Sequence, residues 1–134
     1  MYFVKVRKTK DHGRGVYAVK NFTKGEIIEK CPVLEIPPEE SVACQKTILN
    51  NYLYDWNEIH KACLPLGYGL IYNHSYKPNA RYSFDHTRKL IIYKAIRSIL
   101  KGKEITVNYN FYPNDTSPTD VTDIPHVEVN SLVS

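Results

Sequence analysis

Asn73-His74-Ser75-Tyr76-Lys77-Pro78-Asn79 and, further along, Glu104-Ile105-Thr106-Val107-Asn108-Tyr109 are the stretches that decide how this chain reads. In the first, Asn, Ser and Pro are residues of turns and loops. The second alternates polar and apolar, so Ile105, Val107 and Tyr109 share one face of a strand and Glu104, Thr106 and Asn108 the other. That alternation turns Tyr109 toward the side that packs. Taken singly, a polar loop and a short strand ending in tyrosine are common, and the chain holds 11 tyrosines. The pair in this order carries the information.

Outward from the pair, strand signals dominate. Residues 2–6 alternate, residues 15–19 are short and rich in β-formers, and residues 26–36 are a longer apolar run ended by Pro37-Pro38. Residues 80–84, 90–95 and 104–109 read as three more strands, with turns at Asp11 to Gly15, Thr23 to Gly25, Asp85 to Arg88 and Leu100 to Lys103. Between Glu39 and Leu53 the apolar positions Val42, Ile48, Leu49, Tyr52 and Leu53 have a loosely helical spacing and predict that part of this stretch is the one substantial helix. Residues 52–56 fit a helix end or an extended segment. Many short strands with frequent turns give a mostly β domain, with barrel, sandwich and irregular β all open.

The length of 134 residues fits one compact domain with a modest core. No apolar run approaches the roughly 20 residues that span a bilayer, and the first residues alternate like a strand rather than forming a signal segment. Cys31, Cys44 and Cys63 are odd in number and widely spaced. They match neither a disulfide framework nor a zinc knuckle, and fit reduced thiols in a cytosol, hence a cytoplasmic protein with nuclear access in a viral or eukaryotic setting. The net charge of +4 is scattered and interrupted by Glu26, Glu29, Glu39 and Glu40, which argues against a nucleic-acid footprint. A small basic β protein that binds nucleic acid is the weakest reading.

Two further motifs precede the deciding pair: Gly13-Arg14-Gly15 and Tyr52-Leu53-Tyr54-Asp55. In this order, over residues 5–112, the four resemble the SET-domain lysine methyltransferases, and the small size is similar to minimal single-domain members of viruses and bacteria. The resemblance implies a β-clip-like arrangement of several short curved sheets, with a threaded C-terminal segment and one or two short helices. It implies a SET domain over residues 1–112 and a C-terminal tail over residues 113–134, docked or flexible. It also implies methyl transfer from S-adenosylmethionine to a lysine of a protein or peptide substrate, histone-like proteins being a family habit.

By the same resemblance Tyr109 is the catalytic residue. Gly13, Arg14, Gly15, Tyr52, Asn73, His74 and Phe111 (or Tyr112 beside it) would hold the methyl donor, and Tyr54, Tyr68 and Tyr82 would line the substrate channel. Metal is not needed, and no ligand spacing joins His74 to His12, His60, His86 or His126. A histidine satisfied by hydrogen bonds is the expectation for His74. Two departures from the family pattern are Tyr76, where Cys is frequent, and Asn108, where Asp is common. The cysteine cluster that closes the channel in many members is missing, leaving closure by the tail or by a homodimer open. No membrane or nucleic-acid partner is expected.

The chemistry requires a neutral lysine amine. A free lysine is neutral on the order of one time in a thousand near pH 7, so forming the amine costs on the order of 4 kcal/mol. A narrow aromatic channel disfavours the ammonium form and reduces that cost. The alternative from another class is a non-catalytic β-clip module that binds a peptide without turnover.

Overall fold

The computed structural model describes residues 2–119. Their strands are β1 (Val4–Lys8), β2 (Arg14–Ala18), β3 (Ile27–Ile36), β4 (Tyr54–Asp55), β5 (Ala62–Pro65), β6 (Asn73–His74), β7 (Ala80–Asp85), β8 (Leu90–Ala95) and β9 (Glu104–Val107). One α-helix, α1 (Pro38–Cys44), and a 3-10 turn, Ile48–Asn51, connect β3 to β4. The strands form two sheets, one in the order β1-β2-β9-β6 and one in the order β4-β5-β3-β8-β7.

The β1–β2 hairpin turns through Gly13, whose φ of 72° is left-handed backbone that glycine adopts without a Cβ clash. β9 then enters between an N-terminal strand and a central one. It pairs antiparallel with β2 (Val16↔Ile105) and parallel with β6 (Asn73↔Thr106, His74↔Val107). This insertion is the form the expected threading takes, and it carries the loop 73–79 to the end of β9.

In the second sheet, β3 pairs with β8 from Ile27 to Pro32 and with β5 from Val33 to Ile36. Pro32, which has no N–H to give, stands at the hand-over between partners, where a proline inside a strand costs least. Inward-facing residues of both sheets meet in one core. Val16, Cys31, Cys63, Ile91, Tyr93, Ile105 and Val107 have no exposed surface, and burial of each large apolar side chain contributes about 1.5–3 kcal/mol. The three cysteines are free thiols, and burial pushes Cys63 up to about 12.

The one α-helix occupies part of the stretch read as helical, and it is short. α1 stops at Cys44, and Thr47 breaks the run: its hydroxyl donates to the Cys44 carbonyl (2.8 Å) and accepts from Leu49 N–H (3.2 Å), a local bond that competes with helix continuation. Val42, Ile48 and Leu49 stay 57%, 45% and 42% exposed, so no packed face selects a longer helix. The last strand also ends two residues early, at Val107. Among the described residues no helix is long and apolar enough to cross a membrane.

Candidate functional site: a tyrosine between two half-sites

Hydrogen bonds fix the loop 73–79 along β9. The Asn79 carboxamide accepts from Thr106 N–H (2.9 Å) and donates to the Glu104 carbonyl (2.8 Å), while Ser75 N–H donates to the Val107 carbonyl (2.9 Å). After Val107 the chain bends inward. Asn108 is 1% exposed; it accepts from Asn110 N–H (2.9 Å) and donates to the carbonyls of Pro113 (3.3 Å) and Asp115 (2.7 Å). An aspartate there would have no N–H for those carbonyls. The bend overturns the simple alternation, since Asn108 is buried like Val107.

The bend carries Tyr109 out of the strand and against the loop. Its backbone N–H donates to His74 Nδ1 (3.0 Å), and its hydroxyl donates to the Tyr72 carbonyl (2.7 Å). Burial, with smaller effects from Tyr52, Glu104 and Tyr82, raises the phenol well above its ordinary range. Tyr109 is therefore a neutral hydroxyl whose proton points at a fixed acceptor.

On one side of Tyr109 opens a cleft of about 670 Å³. Tyr52, Tyr54, Tyr82, Tyr109 and Phe111, all singled out in the sequence, line it. The Tyr54 hydroxyl donates to the Gly69 carbonyl (2.9 Å) and lies 2.9 Å from the Tyr93 hydroxyl, and the Tyr82 hydroxyl donates to the Tyr109 carbonyl (3.4 Å). The Tyr54 and Tyr82 rings meet edge to face at 5.2 Å, as do Tyr82 and Phe111 at 5.4 Å. Burial pushes Tyr82 up to about 12 and Tyr54 well above its usual value, so these phenols are uncharged.

Gly13, Arg14, Gly15, Asn73 and His74 do not line the cleft. The Asn73 amide donates both protons, to the Arg14 carbonyl (2.9 Å) and to Glu104 Oε2 (2.7 Å). Its Oδ1 is buried without a partner, as is His74 Nε2. Because His74 Nδ1 accepts the Tyr109 N–H, the neutral imidazole carries its proton on Nε2, and burial lowers its pKa. The expectation that hydrogen bonds satisfy His74 holds for Nδ1 alone. One of these buried polar atoms is an acceptor and the other a donor.

Three placements differ from the sequence reading; one is Tyr52, expected with the methyl donor, which lines the cleft. Tyr68 lies outside the cleft: its N–H donates to Glu29 Oε2 (3.0 Å) and its ring rests against Tyr2 at 5.4 Å. Phe111 packs with Tyr82 and Phe84 in the cleft, rather than with Asn73 and His74. Gly15 serves a side chain: a Cβ there would lie 2.5 Å from Glu104 Oε2 and 2.7 Å from Thr9 Cγ2. Its absence makes room for the carboxylate that holds Asn73.

The roles of Glu104, of the Tyr72 backbone carbonyl and of Glu29 escaped the sequence reading. Glu29, counted there among scattered surface acids, is 4% exposed and accepts from Tyr68 N–H and from the Tyr72 hydroxyl (2.7 Å). The available signal was parity, because Glu29 shares the inward face of β3 with Cys31.

Comparison with known proteins agrees with this geometry. The family described as SET domain matches residues 13–110. The chain belongs to the SET domain family. It is 36% identical over 107 residues to a Schizosaccharomyces pombe histone-lysine N-methyltransferase specific for H3 lysine-37, covering 79% of this chain and 72% of that one. A crystal structure of a Plasmodium falciparum protein assigned as a histone methyltransferase superposes with a TM-score of 0.64 at 33% identity, covering 81% of this chain and 98% of that one. This SET domain is a protein-lysine methyltransferase, and the methyl donor of its family is S-adenosylmethionine. Among the described residues no group of three or more His, Cys, Asp or Glu is arranged to hold a metal ion.

Proposed function

We propose that Tyr109 is the catalytic residue of lysine methylation, with the methyl donor held on the Asn73–His74 side and the target lysine entering through the aromatic cleft. The observation that carries this reading is the double attachment of Tyr109, by its N–H to His74 and by its hydroxyl to the Tyr72 carbonyl. S-adenosylmethionine supplies a methyl group on a sulfonium. Asn73 Oδ1 accepts from an ammonium, His74 Nε2–H donates to an acceptor, and Gly13, Arg14 and Gly15 support them through the Arg14 carbonyl and the room left for Glu104. Tyr52, Tyr54 and Tyr82 exclude water from the incoming side chain and favour its neutral amine. Phe111 acts from the cleft side, and Tyr68 supports from behind.

The substrate is a histone or histone-like protein, a proposal resting on the S. pombe relative's specificity. No metal, nucleic acid or membrane takes part in the reaction. The protein works in the cytoplasm with access to the nucleus; of the tail expected over residues 113–134, residues 113–119 fold back onto Asn108 and Tyr76 and belong with the SET domain, and residues 120–134 lie outside the described residues.

Calorimetric titration with S-adenosylmethionine and label transfer to histone mixtures test this reading. Saturable one-to-one binding should weaken in Asn73→Ala. Tyr109→Phe should keep that binding and lose about 100-fold in transfer, the scale expected when a positioned hydroxyl is removed from a reaction centre. Wild-type turnover by Tyr109→Phe would strip Tyr109 of its role. Absence of both binding and transfer in the wild type would leave the non-catalytic peptide-binding module.

A further inference from the structure

We propose that Asp55 selects substrates carrying a basic side chain beside the target lysine, a specificity role that rests on the methyltransferase reading of the cleft. Asp55 follows Tyr54 in β4, so the two side chains leave the strand on opposite faces. Tyr54 turns inward to the Gly69 carbonyl and the Tyr93 hydroxyl. Asp55 is exposed and lies on the cleft wall, where it is the one charged residue among the described residues lining the cleft.

Its carboxylate joins no ion pair or hydrogen bond among the described residues. Lys61 is engaged with Glu58 (3.2 Å), Lys89 with Glu35 (3.1 Å), and Arg81 lies over the Phe111 ring at 5.8 Å. Asp55 raises the Tyr82 phenol, which places its charge within electrostatic reach of the aromatic throat. The target amine must arrive neutral, so the throat itself has no use for a carboxylate. A cationic neighbour of the target lysine, still charged and held at the cleft wall, does. In a chain of net charge +4, which repels basic peptides at long range, this single carboxylate is where such a neighbour gains.

The test uses the full chain, S-adenosylmethionine and peptides with one lysine in a neutral scaffold. Arginine or its uncharged isostere citrulline is placed in turn at each of the three positions on either side. At one or two positions adjoining the lysine, arginine should exceed citrulline about tenfold in kcat/KM, with the effect in KM and shrinking as salt rises. Asp55→Asn should bring that ratio close to one, Asp55→Glu should retain it, and Asp55→Lys should invert it in favour of a glutamate-flanked lysine. A ratio of one at every position in the wild type, or a ratio unchanged by Asp55→Asn and Asp55→Lys, overturns the proposal while leaving methyl transfer intact. Loss of transfer to every peptide by the wild type would overturn the methyltransferase reading along with it.

Discussion

His74 shows how much one ring nitrogen decides. Its Nδ1 must stay unprotonated to accept the Tyr109 N–H; a protonated ring would oppose donor to donor and loosen Tyr109. Burial sets the folded pKa of His74 below its unfolded value of about 6.5. The unfolded chain therefore takes the proton first as pH falls, and the stability contributed by neutral His74 is present above about pH 6.5 and is lost below it. Denaturant titrations should show stability falling between pH 7 and pH 5.5, with a shallower slope in His74→Asn; equal slopes would place the acid sensitivity elsewhere. The motif made His74, Asn73 and Tyr109 legible as residues. The roles of Glu104 and of the Tyr72 carbonyl were not, because what matters there is an oxygen atom brought close by pairing across distant parts of the chain.

Among the elements, β9 depends on a side chain to hold its partner. The Asn79 carboxamide bonds both the Thr106 N–H and the Glu104 carbonyl, standing in for backbone pairing between the loop and the strand. Asn79→Ala should cost about 1–3 kcal/mol, the usual penalty for leaving buried backbone groups unpaired, and should speed hydrogen exchange at the Thr106 amide; unchanged exchange there would mean the loop is held by other contacts. Strands with a packed face, such as β7 and β8, were readable from alternation alone. The two-residue strands β4 and β6 were not, because they exist through partners at 62–63 and 106–107. How much of residues 39–53 is helical was not readable either, because apolar spacing predicts a buried face only where something covers it.

For the whole molecule, the question is where the working domain ends. Past Tyr112, the Pro113 and Asp115 carbonyls accept from Asn108, and the Ser117 carbonyl accepts from Tyr76 (3.0 Å) and Asn110 (2.6 Å). Truncation after Tyr112 would leave the buried Asn108 amide unsatisfied, whereas truncation after Thr119 would not. The shorter form should be about 1–3 kcal/mol less stable than the longer one in denaturant melts; equal midpoints would return residues 113–119 to a dispensable tail. The Pro-containing polar composition after Tyr112 suggested a boundary there, and the return of that segment onto Asn108 and Tyr76 was not readable.

The insertion of β9 between β2 and β6 also sets an order of events in time. Hairpins such as β1–β2 close short loops and can form early, whereas joining Val16 to Ile105 and Asn73 to Thr106 must bring together segments far apart along the chain, at a larger entropic cost before any contact rewards it. A refolding chain would recover most of its strand signal first and its methyl-transfer activity in the slowest phase, and a ribosome-bound chain would have no site until the residues beyond Tyr109 had emerged.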